Sequence, residues 1–136
     1  MSFYIKILLV LGCMSLSHKA NAQLDTLNYV KQFEVNKAQY INQPFSYLLS
    51  QMTQVQPKSH WAHTPLKNKT IVEYSSFNFC EIDYSFKNAV TLRIIWKDTF
   101  PKSEVKYLQN KNGYNFTNEE KAFYGSKIVK DIRIYR

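Results

Sequence analysis

The stretch VTLRIIWK, residues 90–97, alternates between two sets of side chains and decides the fold. Four large apolar side chains would share one face of a strand: Val90, Leu92, Ile94 and Trp96. The other face would carry a mixed set: Thr91, Arg93, Ile95 and Lys97. A period of two built from β-branched and aromatic residues predicts a half-buried strand of an antiparallel sheet.

The residues before this stretch predict its partner strand in a hairpin. Alternation starts at Thr70 and would place Phe77 and Phe79 on one face and Cys80, Ile82, Tyr84 and Phe86 on the other. Lys87-Asn88 would turn the chain, and residues 98–101 would end the hairpin. Because Cys80 would share a face with large apolar side chains, we expect its thiol in the core.

Helical spacing precedes the hairpin. Residues 24–41 predict one helix, capped at its start by Asp25. A second helix would begin at Pro44, since proline suits a first turn, and would end before Pro57, which lacks an amide donor. Its apolar side chains recur at helical spacing: Phe45, Leu48, Leu49, Met52 and Val55.

The C-terminal third predicts both kinds of element. Residues 102–109 fit either a short helix or a strand, and Asn112-Gly113 predicts a turn. Thr117 and Glu120 predict a capping box for a helix that Gly125 closes, and residues 127–135 predict a last strand. The expected fold is α+β: N-terminal helices packed on an antiparallel sheet of three to four strands, a two-layer sandwich.

Residues 1–22 predict a cleaved signal peptide. Lys6 precedes an apolar run over residues 7–16, and Ala20-Asn21-Ala22 offers small residues at the cleavage positions. This junction resembles the leaders of small exported bacterial proteins, which implies a periplasmic or secreted location. A less favoured alternative is acylation at Cys13, because residues 10–13 imitate a lipoprotein cleavage box. Cleavage after Ala22 would leave a single domain over residues 23–136.

Removal of the leader changes the charge and the cysteine count. The net charge would fall from +8 to +6, since Lys6 and Lys19 are lost without any acid. Cys80 would be the one remaining cysteine of the two, so an intramolecular disulfide is excluded. The basic surplus favours an acidic protein face or an anionic envelope component as partner, and export disfavours nucleic acid.

Residues 56–69 predict a long loop that contacts a partner. The segment contains two prolines, three lysines and two histidines, and loops of this length are often functional. Aromatic side chains dominate many recognition surfaces. The candidate binding residues are therefore His60, Trp61, His63, Lys58 and Lys67. Two histidines without further ligands fall short of a metal site, and we expect neither metal nor cofactor.

Catalytic chemistry is less favoured by the sequence. Cys80 could act as the nucleophile of a hydrolase if His60 or His63 served as its base. Glu81 and Asp83 would lie on one strand face at a spacing that glycosidases use, although ion pairs with Arg93 and Lys97 across the hairpin explain them more simply.

The sequence therefore predicts a small exported, non-enzymatic binding or accessory protein of the cell envelope. One alternative is a small envelope hydrolase that uses Cys80 with His60 or His63. Another is an inhibitor or immunity-type protein that binds one partner enzyme. The sequence does not separate this last alternative from the leading hypothesis, and it leaves the oligomeric state open.

Overall fold

The computed structural model describes residues 25–136. Its elements, in chain order, are α1 (Thr26–Val35), α2 (Phe45–Gln51), β1 (Ser59–His63), β2 (Ile71–Asn78), β3 (Thr91–Pro101), α3 (Lys102–Asn112), α4 (Asn118–Gly125) and β4 (Val129–Tyr135). Short 3-10 turns occupy Lys37–Gln39 and Ile82–Tyr84. The predicted signal peptide and Cys13 lie outside the described residues. Within them, no helix has the length and apolarity needed to cross a membrane.

The four strands form one antiparallel sheet in the order β1-β2-β3-β4. The predicted α+β class is confirmed, and the number of strands is four. The predicted apolar face is also confirmed, because Leu92, Ile94 and Trp96 of β3 are buried, as is Val90 directly before the strand. The three β3 side chains pack with buried residues of the helices, including Val30, Phe45 and Tyr124, in one hydrophobic core.

Capping residues that the sequence indicates are present at three helix ends. Asp25 accepts a hydrogen bond from the Asn28 amide at the start of α1. The capping box of Thr117 and Glu120 is present at the start of α4. The ambiguous residues 102–109 are helical, and α3 ends at Gly113, whose φ of 58° is left-handed and suits glycine.

Part of each edge of the sheet is covered by other parts of the chain. At the β4 edge, the Ile134 amide donates to Glu34 at 3.0 Å and its carbonyl accepts from Lys31 at 2.8 Å. At the β1 edge, the His60 amide donates to the Tyr114 carbonyl at 3.1 Å, and Ser59 bridges to Asn115. A further strand would have to displace these contacts to pair at the Ser59–His60 end of β1 or at Ile134 of β4.

The predicted loop over residues 56–69 is wrong at its centre, because residues 59–63 form β1. His60 and Ala62 point to the core side, in register with Phe77 and Ser75. The prolines, lysines and histidines of residues 56–69 favoured a loop, although the prolines and lysines all lie outside residues 59–63.

The predicted strand over residues 80–86 is also wrong. The chain leaves the sheet after Asn78, whose buried side chain donates to the Val90 carbonyl and to Thr91 Oγ1, at 3.2 and 2.9 Å. These bonds pair the end of β2 with the start of β3, so residues 79–90, including Lys87-Asn88, form the connection between the two strands. The predicted break at residues 98–101 is absent, since β3 continues to Pro101. The first two helices end earlier than predicted, at Val35 and Gln51.

Candidate functional site: the open face of the sheet

The helices pack on one face of the sheet, and the other face carries an unusual set of side chains. Its members come from all four strands: Trp61 and His63 of β1, Tyr74 and Ser76 of β2, Arg93 and Ile95 of β3, and Asp131, Arg133 and Tyr135 of β4. We call this surface the open face. A solvated sheet face normally carries small polar and charged side chains, whereas here aromatic rings and arginines predominate.

Four of these side chains form a continuous stack across the sheet. The imidazole of His63 lies 4.5 Å from the Tyr74 ring with an interplanar angle of 11°. The Arg93 guanidinium carbon lies 4.7 Å from the Tyr74 ring centre and 5.2 Å from that of Tyr135. Arg93 also donates to the Tyr135 hydroxyl at 3.0 Å. We call this arrangement the aromatic–arginine stack; cation–π contacts of this kind contribute about 0.5–2 kcal/mol each.

The stack determines the charge of the open face. Burial lowers the pKa of His63, and the neighbouring Arg93 lowers it further, so His63 is neutral at pH 7. Its Nε2 lies 3.0 Å from Ser76 Oγ, within hydrogen-bond distance. The positive charge of this surface therefore comes from Arg93 and Arg133.

Trp61 borders the stack but is itself covered. Its ring stacks on Tyr114 at 4.6 Å and meets the Phe86 ring at 5.3 Å. Phe86 belongs to the connection between β2 and β3 and is 76% exposed. The Trp61–Phe86 contact thus packs the β2–β3 connection against β1. Phe86 adds an exposed apolar ring next to the open face.

The structure brings together only two of the five predicted binding residues, Trp61 and His63. His60 was predicted to contact a partner, but strand alternation points it into the core, where it is fully buried. Lys58 lies 3.8 Å from Glu81 at the surface. Lys67 is exposed in the turn between β1 and β2, away from the strands.

His60 belongs to a buried polar network instead. Its Nδ1 lies 3.1 Å from the Tyr124 hydroxyl, and its Nε2 lies 3.9 Å from Glu120 Oε1. Burial lowers the pKa of His60 to about 4, although Glu120 acts in the opposite direction. Burial raises the pKa of Glu120, but hydrogen bonds from Thr117 and Asn112 outweigh it and hold the pKa below its usual value. The neutral imidazole of His60 and the carboxylate of Glu120 are both buried, so we assign them a structural role.

Cys80 lies in neither the core nor a catalytic pair. It is half-buried in the connection after β2 and lines a cavity of about 260 Å³ with Phe79, Tyr84 and Arg136 among its neighbours. Burial raises the pKa of the thiol, which disfavours the thiolate. Within residues 25–136 neither imidazole forms a hydrogen bond with Cys80. The geometry therefore lacks the base that a cysteine hydrolase requires.

The carboxylates Glu81 and Asp83 do not share a strand face, because both lie outside the sheet. The predicted ion pairs with Arg93 and Lys97 do not form among the described residues; Glu81 pairs with Lys58 instead. In the same part of the chain, no three His, Cys, Asp or Glu side chains gather in a way that would hold a metal ion.

The chain matches no protein-family model, no curated protein and no solved structure. The candidate site consequently rests on geometry. Sequence reasoning missed Tyr74 and Tyr135 as site residues and assigned Arg93 to an ion pair. The alternation of residues 90–97 did place Arg93 on the outward face, but its two tyrosine neighbours are set by the register of β2 and β4.

Proposed function

We propose that this protein is a small exported, non-enzymatic binding protein of the cell envelope that contacts a partner protein through its open face. The observation that carries the proposal is the aromatic–arginine stack of His63, Tyr74, Arg93 and Tyr135. Arginine and tyrosine are among the side chains that dominate the binding energy of protein interfaces.

The stack is organised before any partner arrives. Each member is held by its neighbours through stacking, cation–π contact or a hydrogen bond. Binding then costs less conformational entropy than it would for free surface side chains, whose ordering costs about 0.5–1.5 kcal/mol each. Tyr135, which is 41% exposed, offers the stack's accessible end.

The experiment is site-specific photocrosslinking in the native host. A benzoylphenylalanine at position 135 replaces an aromatic side chain on the open face, and the same substitution at Tyr107 serves as the matched control. Tyr107 is 66% exposed on α3, away from the sheet. We expect one discrete crosslinked species from position 135 and none from position 107.

Equal crosslinking at both positions, or none at position 135, would contradict the proposal. The identity of the crosslinked species also addresses the narrower alternative. A single enzyme, held in a one-to-one complex and losing its activity there, would make the protein an inhibitor or immunity factor. A non-enzymatic envelope protein would instead point to an accessory role.

A further inference from the structure

Two arginines face each other on neighbouring strands of the open face. Arg93 of β3 is the direct cross-strand partner of Arg133 of β4, and Ser76 of β2 is the partner of Arg93 on its other side. Side chains at directly opposite positions have Cβ atoms about 4.5–5.5 Å apart. Like charges at such positions destabilise a sheet. The cation–π contacts of Arg93 with Tyr74 and Tyr135 hold its side chain but do not neutralise the charge of the pair.

The surrounding acids do not neutralise the pair. Asp131 Oδ2 lies 3.7 Å from Arg133 Nε, while Oδ1 of the same carboxylate accepts from Lys37 at 2.7 Å and from the Ile132 amide at 2.9 Å. Within residues 25–136, Arg93 has no acidic partner at ion-pair distance. Lys37 and Arg133 therefore share one carboxylate, and Arg93 has none within this part of the chain. These three cations and one carboxylate leave an excess of two positive charges.

Arg93 is also held in an orientation suited to recognition. The Tyr74 and Tyr135 rings flank its guanidinium, and Nε is buried without a hydrogen-bond partner among the described residues. One terminal nitrogen, Nη2, already donates to the Tyr135 hydroxyl, which leaves Nη1 and the second Nη2 hydrogen to meet a ligand. A guanidinium fixed in its plane presents two parallel donors, the geometry that matches a carboxylate.

The direction of the stack favours an anion as well. The rings of His63 and Tyr74 lie face to face from strand to strand, so their edges point away from the sheet. Ring edges carry the positive part of the aromatic quadrupole and ring faces the negative part. Sugars use the ring faces for stacking, and here His63 and Arg93 occupy the faces of Tyr74.

We propose that Arg93 and Arg133 form a binding site for a carboxylate on an acidic side chain of the partner protein. This inference rests on the proposed function and narrows it to one chemistry. Because the two arginines lie on the face of the sheet, the partner would dock its side chains against this face. Tyr135 and Phe86 would contact apolar groups around the acidic side chain.

The test uses the whole protein and a fluorescent peptide with four glutamates separated by glycines, measured by anisotropy at physiological salt. An oligogalacturonate with the same number of carboxylates is the carbohydrate probe. The double variant Arg93→Gln/Arg133→Gln removes the pair. Its matched control, Lys102→Gln/Lys106→Gln, removes the same charge from α3.

We expect the arginine variant to weaken peptide binding at least tenfold and the lysine variant to weaken it less than about threefold, since charge-assisted bidentate pairs are stronger than general attraction. The peptide should also shift the Arg93 Nε–H resonance of the unmodified protein, a signal that does not depend on a variant folding. Equal weakening by the two variants, tighter binding of the oligogalacturonate, or an unmoved Arg93 resonance would overturn the inference.

The two proposals fail in different ways. Crosslinking from position 135 that persists in the Arg93→Gln/Arg133→Gln variant would retain the binding function and refute the carboxylate site. Absence of crosslinking together with absence of peptide binding would refute both. If the double variant does not fold, Arg93→Lys is the substitute test. It keeps the charge but removes the two parallel donors of the guanidinium, and it should still weaken peptide binding severalfold.

Discussion

Acidification should weaken the fold through one buried histidine. His60 is fully buried on the core side of β1, and its pKa is lowered from 6.5 to about 4. In the described residues its Nε2 has no hydrogen-bond partner, and Glu120 Oε1 lies 3.9 Å away. A second proton on the imidazole would place an additional charge in the core with only this one compensating contact.

Proton linkage gives the sign and size of the change in the free energy of unfolding. In the unfolded chain His60 takes up its proton at about pH 6.5, whereas in the folded chain it does so only at about pH 4. Between these values the unfolded state holds the extra proton, so the free energy of unfolding falls by up to about 1.4 kcal/mol for each pH unit lost. The expected loss is about 2 kcal/mol between about pH 6.5 and pH 5, and roughly 3 kcal/mol over the full window.

Urea denaturation followed by tryptophan fluorescence measures this loss at about pH 7, 6 and 5. His60→Gln removes the titrating group and should lose less than half as much stability as the wild type over the same range. His63→Gln is the matched control, since the pKa of His63 is also lowered but its ring lies on the open face. The buried carboxylate of Glu120 responds only at lower pH, because its unfolded pKa is 4.5 and its folded pKa is lower still. Equal pH slopes for His60→Gln and the wild type would refute the reasoning.

Two further predictions concern a helix cap and a thiol. Thr117→Ala should lower the free energy of unfolding by about 1–2 kcal/mol, because the Thr117 hydroxyl caps α4 and also donates to the Glu120 carboxylate. Thr117→Ser should keep most of the stability in urea denaturation, and an equal loss in both variants would contradict the capping role. Cys80 should react with iodoacetamide roughly tenfold more slowly in the folded protein than in urea at the same pH, since burial raises the pKa of its thiol. Equal rates measured by intact mass would show that Cys80 is not shielded.

The sequence predicted helix caps and the apolar face of β3 correctly, because these features depend on residues close together in the chain. The Asp25 cap and the capping box of Thr117 and Glu120 involve residues three positions apart, and both are confirmed. The alternation of residues 90–97 is confirmed for the same reason, since a period of two determines which side chains share a face. These patterns hold before any long-range contact forms.

Prediction was wrong where long-range contacts decide. Residues 80–86 alternate as a strand would, yet Asn78 pairs with the start of β3 and takes the chain out of the sheet. Residues 59–63 were assigned to a loop, yet they form β1 because β2 on one side and residues 114–116 on the other accept and donate their backbone hydrogen bonds. Alternation misled for residues 80–86 and composition for residues 59–63, because the presence or absence of a pairing strand decides whether a segment joins the sheet.

The candidate site depends on register in the same way. Tyr74 and Tyr135 reach Arg93 diagonally across the sheet, which requires Ser76 and Arg133 to lie directly opposite Arg93. A slip of one residue in either pairing would turn one tyrosine toward the core and separate the two arginines. The register is held by the buried apolar side chains of the other face, such as Leu92 opposite Phe77 and Ile134. The core thus determines which groups meet on the open face, while nothing in the core requires those groups to be two arginines and two tyrosines.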